Sequence, residues 1–136
     1  MAFTLTENSI TESTWVRDFS EDTRRASWLE QGLAHFAALC RSYSIDQALI
    51  AEPAPYVPNR IATLCVLCAC YRDNLGSSWR EVADNYSLDL YKAKLDAVQA
   101  ELAALLPSLT PGACGYTPDP SIDHAGGSMG FTWARG

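Results

Sequence analysis

The stretch VPNRIATLCVLCACYRDNL, residues 57–75, decides the fold. Its apolar positions Val57, Ile61, Leu64, Cys68, Tyr71 and Leu75 step alternately by four and three, which is one face of an α-helix and not the two-residue alternation of a strand. Pro58 suits the first turn of such a helix, where a missing amide is tolerated, and Gly76 follows the last stripe residue as a C-terminal cap would.

Working outward, the same spacing recurs on both sides. Leu29, Leu33, Phe36, Cys40 and Tyr43 form one stripe, and Leu88, Tyr91, Leu95, Val98, Leu102, Leu105 and Leu109 form another. Stripes repeating every seven residues pack at shallow angles, so the expected fold is all-α: a small antiparallel bundle of three long helices plus a short one. The residues from Leu88 to Leu105 are expected to form its main seam. The short helix is placed in SIDQALIAE, residues 44–52, with Ser44 or Asp46 as its cap. Pro53 and Pro55 end it, and Pro107 with Thr-Pro-Gly at 110–112 ends the last helix.

The chain has 136 residues, 48% of them hydrophobic and 19% charged, which suits one soluble globular domain. No apolar run approaches the roughly 18 residues that cross a bilayer. The opening MAFTLTENSITEST lacks the basic flank and apolar core of a secretory signal, so a cytosolic site of synthesis and reduced thiols are expected. A net charge of -6 argues against nucleic acid as the primary ligand, since counterion release needs clustered Lys and Arg. Residues 1–22 hold Glu7, Glu12, Asp18, Glu21 and Asp22 against Arg17 and read as a solvated acidic arm. Residues 23–110 are the bundle. Residues 111–136 are rich in Gly and Pro yet carry Tyr116, Ile122, Met129, Phe131 and Trp133, so this segment reads as an extended tail built to lie on something.

Cys65, Cys68 and Cys70 raise the question of a metal or redox centre. Structural zinc needs four ligands, usually as two separated pairs, and no second CxxC exists. Cys70 also points about 160° away from Cys68 around a helix. A redox CxxC belongs at a helix N-terminus after a strand, whereas this one lies inside a helix. Cys40 and Cys68 are therefore read as small apolar stripe residues. His35 and His124 belong to no catalytic motif, and GGSMG at 126–130 lacks the lysine of a phosphate loop. Neither a catalytic residue nor a cofactor is expected. SSWREVADNYSLDLYKAKL, residues 77–95, faintly suggests a helix-turn-helix with Trp79, Val82 and Ala83 in its first helix and Lys92 and Lys94 on its reader, but Asp84, Asp89 and Asp96 oppose it.

Three helices, a last helix reading DLYKAKLDAVQAELAALLPSLT and a tail ending FTWARG together resemble the head-tail adaptor, or head completion, proteins of tailed bacteriophages. The likeness covers residues 23–136 and is strongest at Tyr91, Lys94, Leu95, Glu101, Leu102 and Leu105. It implies a non-enzymatic virion protein, made in the host cytoplasm, that forms a ring of identical subunits, commonly dodecameric. Such a ring sits between the portal protein and the stopper or tail-completion protein and extends the DNA channel, touching passing DNA only transiently and no membrane. Tyr116, Phe131 and Trp133 would then be partner anchors, with Arg135 at the rim. The readings from other classes are a small cytosolic metal or thiol-redox protein using Cys65, Cys68 and Cys70, and a helical DNA-binding regulator.

Overall fold

The computed structural model describes residues 3–76 and 85–118, and every regular element among them is helical. Its organising element is the helix spanning Tyr56–Gly76, here α2. Eight consecutive residues, Ile61 to Cys68, are buried, as are Cys70, Tyr71 and Asn74. A helix apolar on all sides is a core helix. The single stripe expected from the sequence is therefore too narrow: Val57 and Leu75 are only partly buried, while Ala62, Cys65, Val66 and Leu67 bury other faces. Pro58 is buried in the first turn, and the helix runs through Gly76, the expected cap.

Two further long helices, α1 at Arg25–Ser42 and α2's other neighbour α3 at Asn85–Leu105, pack on α2. Both run antiparallel to it. On one side Trp28 at the start of α1 donates its Nε1 hydrogen to Asp73 near the end of α2, at 2.9 Å. On the other, Tyr71 late in α2 stacks on Tyr91 early in α3, and Arg60 early in α2 pairs with Glu101 late in α3.

The α1–α2 contact depends on Gly32. A Cβ atom there would overlap the Cα, N and Cγ2 atoms of Val66, so the two helices meet backbone to backbone. The buried residues of α1 are accordingly Trp28, Gly32, Phe36 and Cys40. Of the expected stripe, Leu29 and Leu33 are half-buried and Tyr43 is 40% exposed. The helix is rotated toward the residue with no side chain, which a count of apolar side chains cannot register.

The N-terminal segment is not the solvated arm expected from its charge. Phe3, Leu5, Ile10, Trp15 and Phe19 are all buried. A 3-10 turn at Glu7–Ser9 and a π-helical turn at Thr14–Asp18 shape the segment. It joins the outer helices: Phe3 meets Phe36 at 4.9 Å, and Phe19 contacts both Trp28 of α1 at 5.1 Å and Tyr91 of α3 at 5.9 Å. Trp15 sits 6.1 Å from Trp28 and donates to the carbonyl of Glu7 at 3.0 Å. Its acids stay at the surface and pair with bundle arginines, Glu7 with Arg25 and Glu12 with Arg60. Five spaced apolar residues outweigh an excess of acids that never has to be buried.

Along α3, Val98 and Leu102 are buried, while Tyr91, Leu95 and Leu105 are half-buried; the Leu88 side chain lies outside the described residues. α3 thus closes one side of the core, and the main seam is α2. It ends at Leu105, and a 3-10 turn at Leu106–Ser108 absorbs Pro107. The short helix is a 3-10 turn at Gln47–Leu49 capped by Asp46, whose carboxylate accepts from the Ala48 amide at 3.0 Å. Ser44 has a different task. Its φ of 60° lets the Ile45 and Ser44 amides reach back to the carbonyls of Cys40 and Arg41, closing the end of α1.

Gly32→Ala should therefore be costly, because backbone atoms cannot swing aside as a side chain can. A loss of about 3 kcal/mol is expected, at the top of the range for overpacking. Leu95→Ala, at a half-buried site, should lose about 1 kcal/mol, well below the cost of emptying a closed core position. Urea melts of the two variants check this ranking.

Candidate interaction surface

The described chain continues past the expected bundle boundary at residue 110 and remains attached through Tyr116. Leu109 and Cys114 are buried. Between them, the Cys114 amide donates to the carbonyls of Thr110 and Pro111, and the Tyr116 amide donates to that of Pro111. The Thr110 hydroxyl accepts from the Ala113 amide at 3.1 Å. This knot is tied to the loop before α2: the Ala51 amide donates to the Cys114 carbonyl at 2.9 Å, and the Asp46 amide donates to the Tyr116 hydroxyl at 3.0 Å. Gly115 is required where the strands of chain cross. It has φ of 86°, and a Cβ there would stand 2.7 Å from Ala51 Cβ.

Of the four expected partner anchors, Tyr116 is thus half-buried and holds the chain's own fold together. Phe131, Trp133 and Arg135 lie outside the described residues, as do Ile122, His124, Met129 and the GGSMG turn. Residues 109–116 fix the place from which the remaining chain departs, beside the loop at 46–55.

The strongest electrostatic feature stands beyond the far end of that loop. Arg60 donates from Nε and Nη2 to the two carboxylate oxygens of Glu101, at 2.7 and 2.9 Å, and from Nη1 to Glu12 at 3.0 Å. One guanidinium therefore joins α2, α3 and the N-terminal segment. The fork matches a carboxylate bidentately, as a lysine could not. Hydrogen bonds from Arg60 hold the Glu101 carboxyl below its ordinary range, and the same bonds push the guanidinium further up. No signal in the sequence links residues 12, 60 and 101, since pairing across such separations is set only by the fold.

The cysteines are placed for packing. All five are free and buried. Burial pushes the thiols of Cys65 and Cys70 up to about 12 and that of Cys40 to about 11. Cys68 and Cys114 are raised for the same reason. Such thiols hold their protons at neutral pH and are poor nucleophiles and ligands. Among the described residues, no three His, Cys, Asp or Glu side chains are arranged to hold a metal ion. Burial lowers the pKa of His35, helped by the charge of Arg72. Of the helix-turn-helix reading, Trp79, Val82 and Ala83 lie outside the described residues, and Lys92 pairs with Asp96 on its own helix at 3.3 Å. No described helix is long and apolar enough to cross a membrane. The chain matches no protein-family model, no curated protein and no solved structure.

The Arg60–Glu101 pair makes a pH prediction. The folded-state pKa of Glu101 lies below its ordinary 4.5, so the pair's contribution is present above that value and is lost as pH falls through the lower folded pKa. Glu101 is 40% exposed and Arg60 23%, so solvent screening holds the contribution to about 1 kcal/mol. Glu101→Gln should cost that amount at pH 7 and converge on the wild-type stability as pH falls through the lowered Glu101 pKa, which denaturant melts across the acid range would read.

Proposed function

We propose that this chain is a non-enzymatic structural adaptor of a tailed-phage virion, forming a ring between the portal and the stopper or tail and extending the DNA channel. The observation that carries the reading is the knot at residues 109–116, which delivers the aromatic-bearing remainder of the chain from a fixed point on a rigid bundle. A segment with Phe131, Trp133 and Arg135 near its end has the composition of an interface anchor, because aromatic groups bury large areas with few rotors and Arg reaches polar rims. The formal charge of -6 suits a channel that does not grip passing DNA. Against the thiol-redox and metal reading stand the burial of all five thiols and the raising of each pKa.

Light scattering and negative-stain imaging of the full chain, alone and with purified portal protein, test the proposal. A ring is expected in at least one of the two samples. Removing residues 119–136 should leave helicity and melting unchanged, since the knot at 109–116 is retained, and should abolish ring or portal binding. A full chain that stays monomeric alone and ignores the portal overturns the reading.

A further inference from the structure

The first turns of α2 and the N-terminal segment enclose a recess of about 310 Å³. Its α2 wall is Tyr56, Asn59, Arg60 and Thr63, whose steps of three, one and three residues mark one face of a helix. Thr11 and Glu12 line it from the N-terminal segment. Small-molecule sites of this size are mostly apolar, whereas this lining is mostly polar, so the occupant it fits is hydrophilic.

Two of these polar groups have no partner within the described fold. Thr63 is only 6% exposed, and its hydroxyl makes no hydrogen bond among the described residues. Its oxygen is nevertheless not sealed off, and the recess is the open space that Thr63 lines. The half-buried Asn59 carboxamide is likewise without a hydrogen bond among them, which leaves two donors and an acceptor. A hydroxyl so nearly buried costs free energy on folding unless water or a ligand pairs with it. Glu12 binds Arg60 through Oε1 at 3.0 Å and keeps its second oxygen open, while Arg60 has given three of its five N–H groups to Glu12 and Glu101. The recess therefore offers donors and acceptors side by side.

The charges select a neutral ligand. Arg60 is already matched by Glu12 and Glu101, so no free charge of either sign is left to draw an ion. An extended peptide presents its donors and acceptors in line along an edge. Here they converge from two elements on one compact space. A sugar ring meets both conditions, because it is neutral, each hydroxyl both donates and accepts, and its C–H face is apolar. Tyr56, 67% exposed, supplies an aromatic face on which such a ring can lie. We propose that this recess binds a neutral saccharide, with Thr63 and Asn59 bonding its hydroxyls, the open oxygen of Glu12 accepting from another, and Tyr56 covering its C–H face. Asn59 and Ala54 also border a second recess of about 590 Å³, so a linked second sugar has room beside the first. The proposal rests on the recess alone and is independent of the adaptor reading.

The test is an NMR titration of the full-length protein, followed through its backbone amides, with methyl glucosides, methyl galactosides, N-acetylglucosamine, maltose and cellobiose. At least one of these should give saturable shifts confined to residues 9–12 and 54–63, with a Kd on the order of 1 mM. Inorganic phosphate and a blocked neutral tripeptide, at equal concentration, should leave those residues unmoved. Thr63→Val keeps the shape of the side chain and removes its hydroxyl. It should weaken sugar binding about tenfold and melt at or above the wild-type temperature. Asn59→Ala should weaken binding by a similar factor with melting unchanged. Hydroxyl and carboxamide groups that served only the fold would instead lower the melting temperature and leave sugar affinity as it was. The absence of a saturable shift with any of the sugars, a larger response to phosphate or tripeptide, or undiminished affinity in either variant overturns the proposal. Portal binding by the same variants is a separate readout, and its absence refutes the adaptor reading without touching the recess.

Discussion

The missing side chain of Gly32 sets the depth of the whole core. Because α1 can rest its backbone on Val66, the helix comes close enough for Trp28 one turn before and Phe36 one turn after to reach full burial. Trp28 then becomes the centre of an aromatic group, touching Trp15 and Phe19 and bonding to Asp73 through its indole nitrogen. A side chain at residue 32 would lift α1 from α2 and withdraw the surface on which the N-terminal segment lies. One close approach thereby links three parts of the chain that are far apart in sequence.

A helix enclosed on several sides needs small residues somewhere, and here cysteine supplies much of that need. Cys65, Cys68 and Cys70 occupy different directions on α2, and Cys40 and Cys114 fill positions on neighbouring elements. Each is small and apolar when protonated, and burial keeps it protonated by raising its pKa. Their clustering in the sequence goes with the enclosure of α2 on several sides.

The helices were legible in the sequence because periodicity records which faces are apolar over four or more turns. That α3 stops before Pro107, and the turn at Gln47–Leu49 before Pro53, was legible because proline acts locally. Gly32 was not, since an absent side chain leaves no mark on an apolar stripe. The burial of residues 3–19 was not, since the irregular steps between Phe3, Leu5, Ile10, Trp15 and Phe19 follow neither helical nor strand period across two short turns. Nor was the Cys114–Ala51 contact, which exists only once the loop before α2 has been placed. Of the expected anchors, Tyr116 showed its aromatic character in the sequence, but whether it faces a partner or its own chain depends on a hydrogen bond to Asp46, seventy residues away.

The Arg60 cluster shows how charge can specify direction. Arg60 lies near the start of α2, where the helix dipole is positive, and Glu101 lies near the end of α3, where it is negative. Each charge is unfavourable in its own helix. Side by side they offset one another, and only an antiparallel arrangement brings the start of α2 to the end of α3. A parallel α3 would leave both charges against like-signed helix ends and separate the bidentate pair. Glu12 adds a second carboxylate to the same guanidinium, so the correct path of the N-terminal segment is tied to the same choice. The pair is partly exposed and contributes little to total stability. What it adds is direction, since a parallel α3 would forfeit both the bidentate pair and the mutual offset of the two helix ends.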